Sequence, residues 1–374
     1  MNTVEFRSET AQALERAAGK IGQLTAFIGL DGFVDEIIQA VDERQNARDF
    51  TPIPRIRSLA DRIAAAAGRS TNIELVTIRT KLGGNGPIMA DALAAFGVRV
   101  TYLGSLGHPD IHPVFDEFSR RAEVHSIANP GRTDALEFED GKLLFGKMFP
   151  LADVTWENIN RHGKRELVED RMRTASLVGF VNWTMLPYMS EIWQAMQEEI
   201  CPKLEGPRRL MFFDLADPEK RPLNERKRAL ELIVGFQKHF DCVLGLNEKE
   251  AIEIGEVIGA SCPRSSRADL QSLTAAIRRA VPVGTVVVHP TRHAMACSGD
   301  SVDDVDGPFV PKPLITTGAG DHFNSGFVLG RLLGLTDAQS LLCGVSTSGY
   351  YVRTGKSPTV ADLLKLMRNW PADS

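Results

Sequence analysis

No stretch of this sequence is long and apolar enough to span a bilayer, and its opening residues, MNTVEFRSETAQALERAAGK, lack the apolar core of a secretory signal. Lys and Arg never run together long enough to track a nucleic-acid backbone, and the net charge is −5. Cysteine is scarce. The five present, Cys201, Cys242, Cys262, Cys297 and Cys343, are odd in number and show no Cys-x-x-Cys spacing, which argues against a disulfide framework and a zinc site. No Gly-x-Gly-x-x-Gly follows the first predicted strand, which disfavours a dinucleotide oxidoreductase. These absences predict a cytoplasmic protein with reduced thiols, and with neither nucleic acid nor membrane as its partner.

What the chain does contain is 374 residues of 43% hydrophobic content, enough for one large α/β core with or without a lid. A helical pattern over about 8–20 leads into a short buried strand at 24–29, and 57–68 and 86–97 read as helices. Strand patterns recur at 72–79 and 98–104. From 150 onward, apolar runs at 176–181, 209–214, 242–246 and 285–288 alternate with helical segments. That alternation predicts a doubly wound, mostly parallel sheet flanked by helices. Asp140-Gly141 between two alternating runs predicts a hairpin, and 36–58 reads either as a lid strand or as a surface excursion.

Chemistry concentrates where glycines and acids adjoin predicted helix starts. Thr316-Thr317-Gly318-Ala319-Gly320-Asp321 runs straight into an amphipathic helix, so the N–H groups of Gly318, Ala319 and Gly320 form a candidate anion cradle. Asp321 either caps that helix or, in a cleft, accepts a proton from a substrate hydroxyl. Gly326 and Gly330 inside the same helix predict close packing against a neighbour. Asp31 and Asp35 follow the first strand, where α/β sheets bind ligands, and Gly83-Gly84-Asn85 opens a second glycine turn into a helix. Asn247-x-x-Glu250 follows the strand at 242–246 as a helix start with an acid in its first turn.

Taken in this order, Thr-Thr-Gly-Ala-Gly-Asp-x-Phe-Asn-x-Gly at 316–326, Gly-Gly-Asn at 83–85 and Asn-x-x-Glu at 247–250 resemble the signatures of the ribokinase-like (PfkB) carbohydrate and nucleoside kinases. The resemblance runs from about Leu24 to Leu366 and implies a single ribokinase-like domain over 1–374, with a small β lid built from parts of 36–58 and 125–150. It implies phosphoryl transfer from ATP, with magnesium, to a sugar or nucleoside hydroxyl. Asp321 would be the base and Gly318 to Gly320 the anion hole. Asp35, with Asp31 as a second candidate, would hold substrate hydroxyls together with Gly83, Gly84 and Asn85. Asn247, Thr291, Thr317 and Asn324 would border the nucleotide, and Glu250 would act on magnesium through water.

Three segments depart from the family pattern. Ile88 stands where an Asn is usual, and His289, Thr291 and Ala294 replace a Thr-x-Gly-x-x-Gly segment. Ile315 replaces an Asp associated with a monovalent cation, so potassium activation is not implied. These departures motivate an alternative reading, a sugar- or nucleoside-binding sensor with weak catalysis. His289 and His293 read as ordinary strand-end residues. Monomer and homodimer both stay open.

Overall fold

The computed structural model describes residues 2–260, 262 and 266–371. In chain order its strands are β1 Thr25–Leu30, β2 Phe33–Arg44, β3 Phe50–Pro52, β4 Leu75–Gly83, β5 Arg99–Gly104, β6 Glu123–Ser126 and β7 Gly131–Phe138. There follow β8 Gly141–Lys147, β9 Leu177–Val181, β10 Arg209–Asp214, β11 Phe240–Leu246, β12 Thr285–Val288, β13 His293–Cys297 and β14 Val302–Asp306. They form a nine-stranded sheet, β14-β13-β12-β11-β10-β9-β1-β5-β6, and a five-stranded sheet, β3-β2-β7-β8 with β4 also on β2.

Strands of the large sheet are parallel except for the β12-β13-β14 edge. Strands such as β9 and β12 are buried along their whole length, because helices cover both faces. Alternate side chains go to opposite sides: Phe27, Phe180 and Phe213 join Trp193 and Phe236 on one face, and Ile28, Phe212 and Val243 join Phe323 and Phe327 on the other. Sequence order runs outward from β1 in both directions, through β5 on one side and β9 on the other. That reversal opens a crevice at the carboxyl ends of the strands, beside Asp31.

The helix Ala319–Leu332 packs tightly on the helix Asp337–Thr354. A Cβ at Gly326 would lie 2.2 Å from Thr347 Oγ1, and one at Gly330 would lie 2.8 Å from the Ser340 Cα, which accounts for both interior glycines.

In the small sheet, Ile38, Ala40, Leu136 and Leu59 cover one face with their own apolar cluster. Asp35 points to the other face, with Lys81 and Thr133 directly across from it on β4 and β7. The 36–58 segment thus supplies the rest of β2, then β3 and the start of a helix at Ile56. The strand expected at 72–79 runs on to Gly83 as β4 and joins this sheet. The hairpin at 135–146 forms with Glu139 and Asp140 at its tip, one residue earlier than Asp-Gly would place it, since Phe138 pairs with Gly141. Asp140 Oδ1 there accepts the Ile56 N–H at 3.0 Å and fixes the start of the adjoining helix.

Candidate active site

Five strands of the large sheet deliver a polar residue to one edge: Asp31 after β1, Asn182 after β9, Asp214 closing β10, Asn247 after β11 and His289 after β12. Asp35 and Asp31, the first and second candidates for substrate hydroxyls, differ in their surroundings here. Asp31 is fully buried; its Oδ2 accepts the Asn85 N–H at 3.0 Å and Asn182 Nδ2 at 2.8 Å, and its Oδ1 accepts the Gly86 N–H at 2.9 Å. Burial pushes its carboxyl up to about 6, opposed by these donors. Asp31, expected as a second substrate-binding candidate, therefore caps the helix Asn85–Ala95 with both carboxylate oxygens engaged by protein donors.

Asp35 lies at the mouth of the crevice, raised by burial and restrained by Lys81 and by a hydrogen bond from Thr133. Lys81 is itself lowered by burial, with Asp35 opposing. A Cβ on Gly83 would sit 2.4 Å from the Asp35 carboxyl carbon, so the glycine makes room for the acid. Gly84 turns the chain at φ 98° before Asn85. Asn85 Nδ2 then donates to Asp321 Oδ1 at 2.9 Å, joining the two glycine turns.

Asp321 lies in the first turn of the helix Ala319–Leu332 and is 6% exposed. Burial pushes its carboxyl up to about 8; Asn85 opposes the shift, while Asp31 and Glu250 add to it. Gly318 starts this helix at φ 91°, a left-handed conformation that needs glycine. Among the described residues the N–H groups of Gly318 and Gly320 meet no protein acceptor. The Ala319 N–H instead donates to Thr316 O at 3.1 Å, because the turn closes on itself there. Two of the three expected amides are therefore free. Thr317 O accepts from Tyr351 Oη at 2.9 Å, and Lys142 of β8 reaches over to the Thr317 hydroxyl.

Asn247 and Glu250 form a reciprocal helix cap: Asn247 Oδ1 accepts the Glu250 N–H at 3.0 Å, and Glu250 Oε2 accepts the Asn247 N–H at 2.8 Å. Glu250 Oε1 takes the Asp217 N–H at 3.0 Å. Only 4% exposed, Glu250 is raised by burial. Asp214 is raised well above the usual range by burial and by the neighbouring Glu250 and Asp321. Asn324, assigned to the nucleotide from sequence, is 1% exposed and donates to Asp214 Oδ2 at 2.9 Å, so it orders Asp214 from behind.

Beside these acids a cavity of about 550 Å³ is lined by Asn247, His289 and Thr291, among others, with Thr291 exposed. The His289 ring lies on Phe323 at 4.7 Å between centroids, and its Nε2 is buried without a partner.

Asn182 and Asp214 were missed by the sequence reading, although each follows or closes a buried strand. Asn182 adopts φ 64°, a conformation asparagine tolerates, so its amide can reach Asp31. Tyr351 and Lys142 come from distant chain positions and carry no local signal.

The chain is 28% identical over 342 residues to the ketohexokinase of Haloferax volcanii, covering 90% of this chain and 89% of that protein. Among solved structures, phosphofructokinase-2 from Escherichia coli superposes with a TM-score of 0.63 at 13% identity, over 92% of this chain and 98% of that one. A carbohydrate kinase from Agrobacterium tumefaciens gives 0.62 at 17% identity, over 92% and 97%. Ribokinase from Arabidopsis thaliana, solved with ribose and ATP, gives 0.61 at 16%, over 92% and 98%. These likenesses establish the ribokinase-like fold. The family model for prokaryotic ketohexokinase matches residues 4–370, and the chain belongs to that family.

Proposed function

We propose that this protein transfers the γ-phosphoryl group of ATP to a hydroxyl of a sugar, with a ketohexose as acceptor. The observation that carries the reading is Asp321: a buried carboxyl, poised near 8 and held by Asn85, beside two unpaired main-chain amides at a helix start. The relative named ketohexokinase supports the acceptor class.

In this reading Asp35 and Asn85 hold sugar hydroxyls, with Gly83 and Gly84 admitting the sugar close to the main chain. The five-stranded sheet closes over it as a lid, with Lys142 meeting the anion loop at Thr317. Asp321 takes the proton of the attacking hydroxyl, while the Gly318 and Gly320 N–H groups meet the phosphoryl oxygens as charge spreads over them. Asn247, Thr291 and Thr317 border the donor nucleotide. Closure also excludes water, which would otherwise compete as acceptor.

The donor set fits magnesium held through its water shell. Glu250 and Asp321 raise Asp214, and Glu250 also raises Asp321, inside a buried edge, a repulsion that a divalent cation relieves. Among the described residues no three His, Cys, Asp or Glu side chains converge as direct ligands, which suits an ion that keeps several waters. Glu250, with Asp214 beside it, would hold that ion, whose charge when bound offsets the phosphate oxygens.

A coupled ADP-release assay with ketohexoses, aldoses and nucleosides tests the reading. The expected result is saturable, magnesium-dependent ADP formation with a ketohexose such as fructose. One observation favours the sensor alternative: Ile88 presents an apolar wall, its Cδ1 3.3 Å from where a Gly318 Cβ would be, in place of a polar contact. Saturable binding without turnover across the whole panel would support that alternative.

A further inference from the structure

Beside the anion loop lie two buried aromatic side chains whose hydrogen bonds go to main-chain carbonyls of that loop and to Ser357. His322 is 2% exposed and Tyr351 7%, and their rings stack at 3.7 Å between centroids and 14° between planes. His322 Nδ1 is 2.7 Å from Gly318 O, which also accepts the His322 main-chain N–H at 3.1 Å. A carbonyl only accepts, so Nδ1 carries the proton. Burial lowers the ring's pKa to about 4 and keeps it neutral, so Nε2 accepts from Ser357 Oγ at 3.0 Å. Ser357 also lies 3.4 Å from Asp91 Oδ2, and Asp91 pairs with Arg121 at 2.7 Å.

Tyr351 acts on the preceding peptide by donating to Thr317 O at 2.9 Å. In a trans peptide the C=O and the N–H point in opposite directions. Fixing Thr317 O from behind therefore aims the Gly318 N–H forward, and fixing Gly318 O sets the next plane. Gly318, left-handed at φ 91°, has no side chain of its own to hold it. The clamp draws on two further elements: Tyr351 on the helix Asp337–Thr354 and Ser357 in the segment that follows it.

The geometry points to His322 and Tyr351 as a pair of positioning residues that hold the two peptide planes of Gly318 so that its N–H faces the transferring phosphoryl group. This rests on the kinase reading above. Both residues act through the main chain and touch no reacting atom. A misaimed donor weakens the transition state more than the bound substrates, so the loss falls on kcat.

The test compares wild type with His322→Phe, which keeps a ring on Tyr351 but has no Nδ1–H, His322→Asn, whose amide can replace that donor, and Tyr351→Phe. The expected result is kcat lowered roughly 10- to 100-fold in His322→Phe and Tyr351→Phe, with KM for sugar and ATP within about threefold. His322→Asn recovers at least about tenfold over His322→Phe, and the pH profile keeps its midpoint because Asp321 is unchanged. Unchanged kcat in both aromatic variants, or a loss confined to KM, overturns the proposal. So does a folded His322→Asn no better than His322→Phe.

A second measurement needs no turnover. Nitrogen NMR of His322 in the wild-type protein at neutral pH should show the Nδ1-protonated neutral ring, and an Nε2-protonated or doubly protonated ring would overturn the clamp. Absence of sugar-dependent ADP release in wild type refutes the kinase reading alone, and the NMR result still decides the clamp.

Discussion

The two sheets bury their strands differently. In the large sheet β9 and β12 are sealed along their length, whereas in the small sheet β4 and β8 leave most residues partly or fully exposed, including Ile78, Leu144 and Phe145. A sheet packed on both faces holds its edge rigidly, and that edge carries Asp214, with Asp321, Glu250 and the free amides at the adjoining helix starts. A sheet packed on one face has fewer contacts to break when it moves, and it carries Asp35, Lys81 and Lys142. Under the proposed function the contrast corresponds to a division of labour: reaction on the well-packed edge, acceptor selection and closure on the looser sheet. Changes at the edge should lower kcat, and changes in the small sheet should first raise KM for the sugar.

The largest expected effect is on pH. Asp321 must be ionised to act as base and stands near 8 in the free protein, so kcat/KM should fall about tenfold per unit below that value. From pH 8 to pH 5 the loss is on the order of a thousandfold, read from a coupled assay with controls for the coupling enzymes. A profile flat over this range would remove the edge from the reaction. Next, Gly318→Ala forces a side chain into a left-handed position 3.3 Å from Ile88 and Tyr351, and should lower kcat roughly 100-fold with KM nearly unchanged.

Asp35→Asn sharpens the other side of the comparison. It should raise the sugar KM about tenfold, as expected for a weakened charge-assisted hydrogen bond, while leaving the ATP KM near wild type. Lys142→Met should give a milder loss, about threefold in kcat/KM, since the contact it makes at Thr317 is solvent-exposed. A larger effect on kcat than Gly318→Ala would move the chemistry onto the lid.

The smallest effect is on stability. Asp321 is raised from 3.8 to about 8, so its contribution is fully present below pH 4 and is lost as pH rises towards 8. Without nucleotide or magnesium, Asp321→Asn should therefore unfold about 2 °C or more above wild type at pH 8, with little difference at pH 4, by calorimetry.

The parts legible in the sequence are those set by neighbours in the chain. Gly318-Ala319-Gly320-Asp321 read as a helix-start anion loop because glycine conformation and helix N-termini are local properties, and the alternation after residue 150 gave the parallel sheet. Asp35 is preferred over Asp31 in the sequence only on its resemblance to the family pattern, since pairing with β4 and β7, which places Asp35 beside Lys81 and Thr133 while Asp31 is drawn under a helix, is not local to either residue. The membership of β4 in the small sheet is likewise fixed by partners far along the chain. Asn324 lies inside the right motif, yet the close packing of its helix seals it from the cavity. Asp214 had a usable signal, a carboxylate ending the apolar run 210–213, but nothing nearby in sequence shows the acids it faces.

The central claim, that the base sits on the large sheet's edge and the sugar is chosen elsewhere, meets its most direct test in steady-state kinetics of Asp321→Asn with a ketohexose and magnesium ATP at pH 8. The account predicts kcat reduced by roughly 10²- to 10⁴-fold with both KM values close to wild type. Turnover retained at wild-type rate in that variant would contradict it.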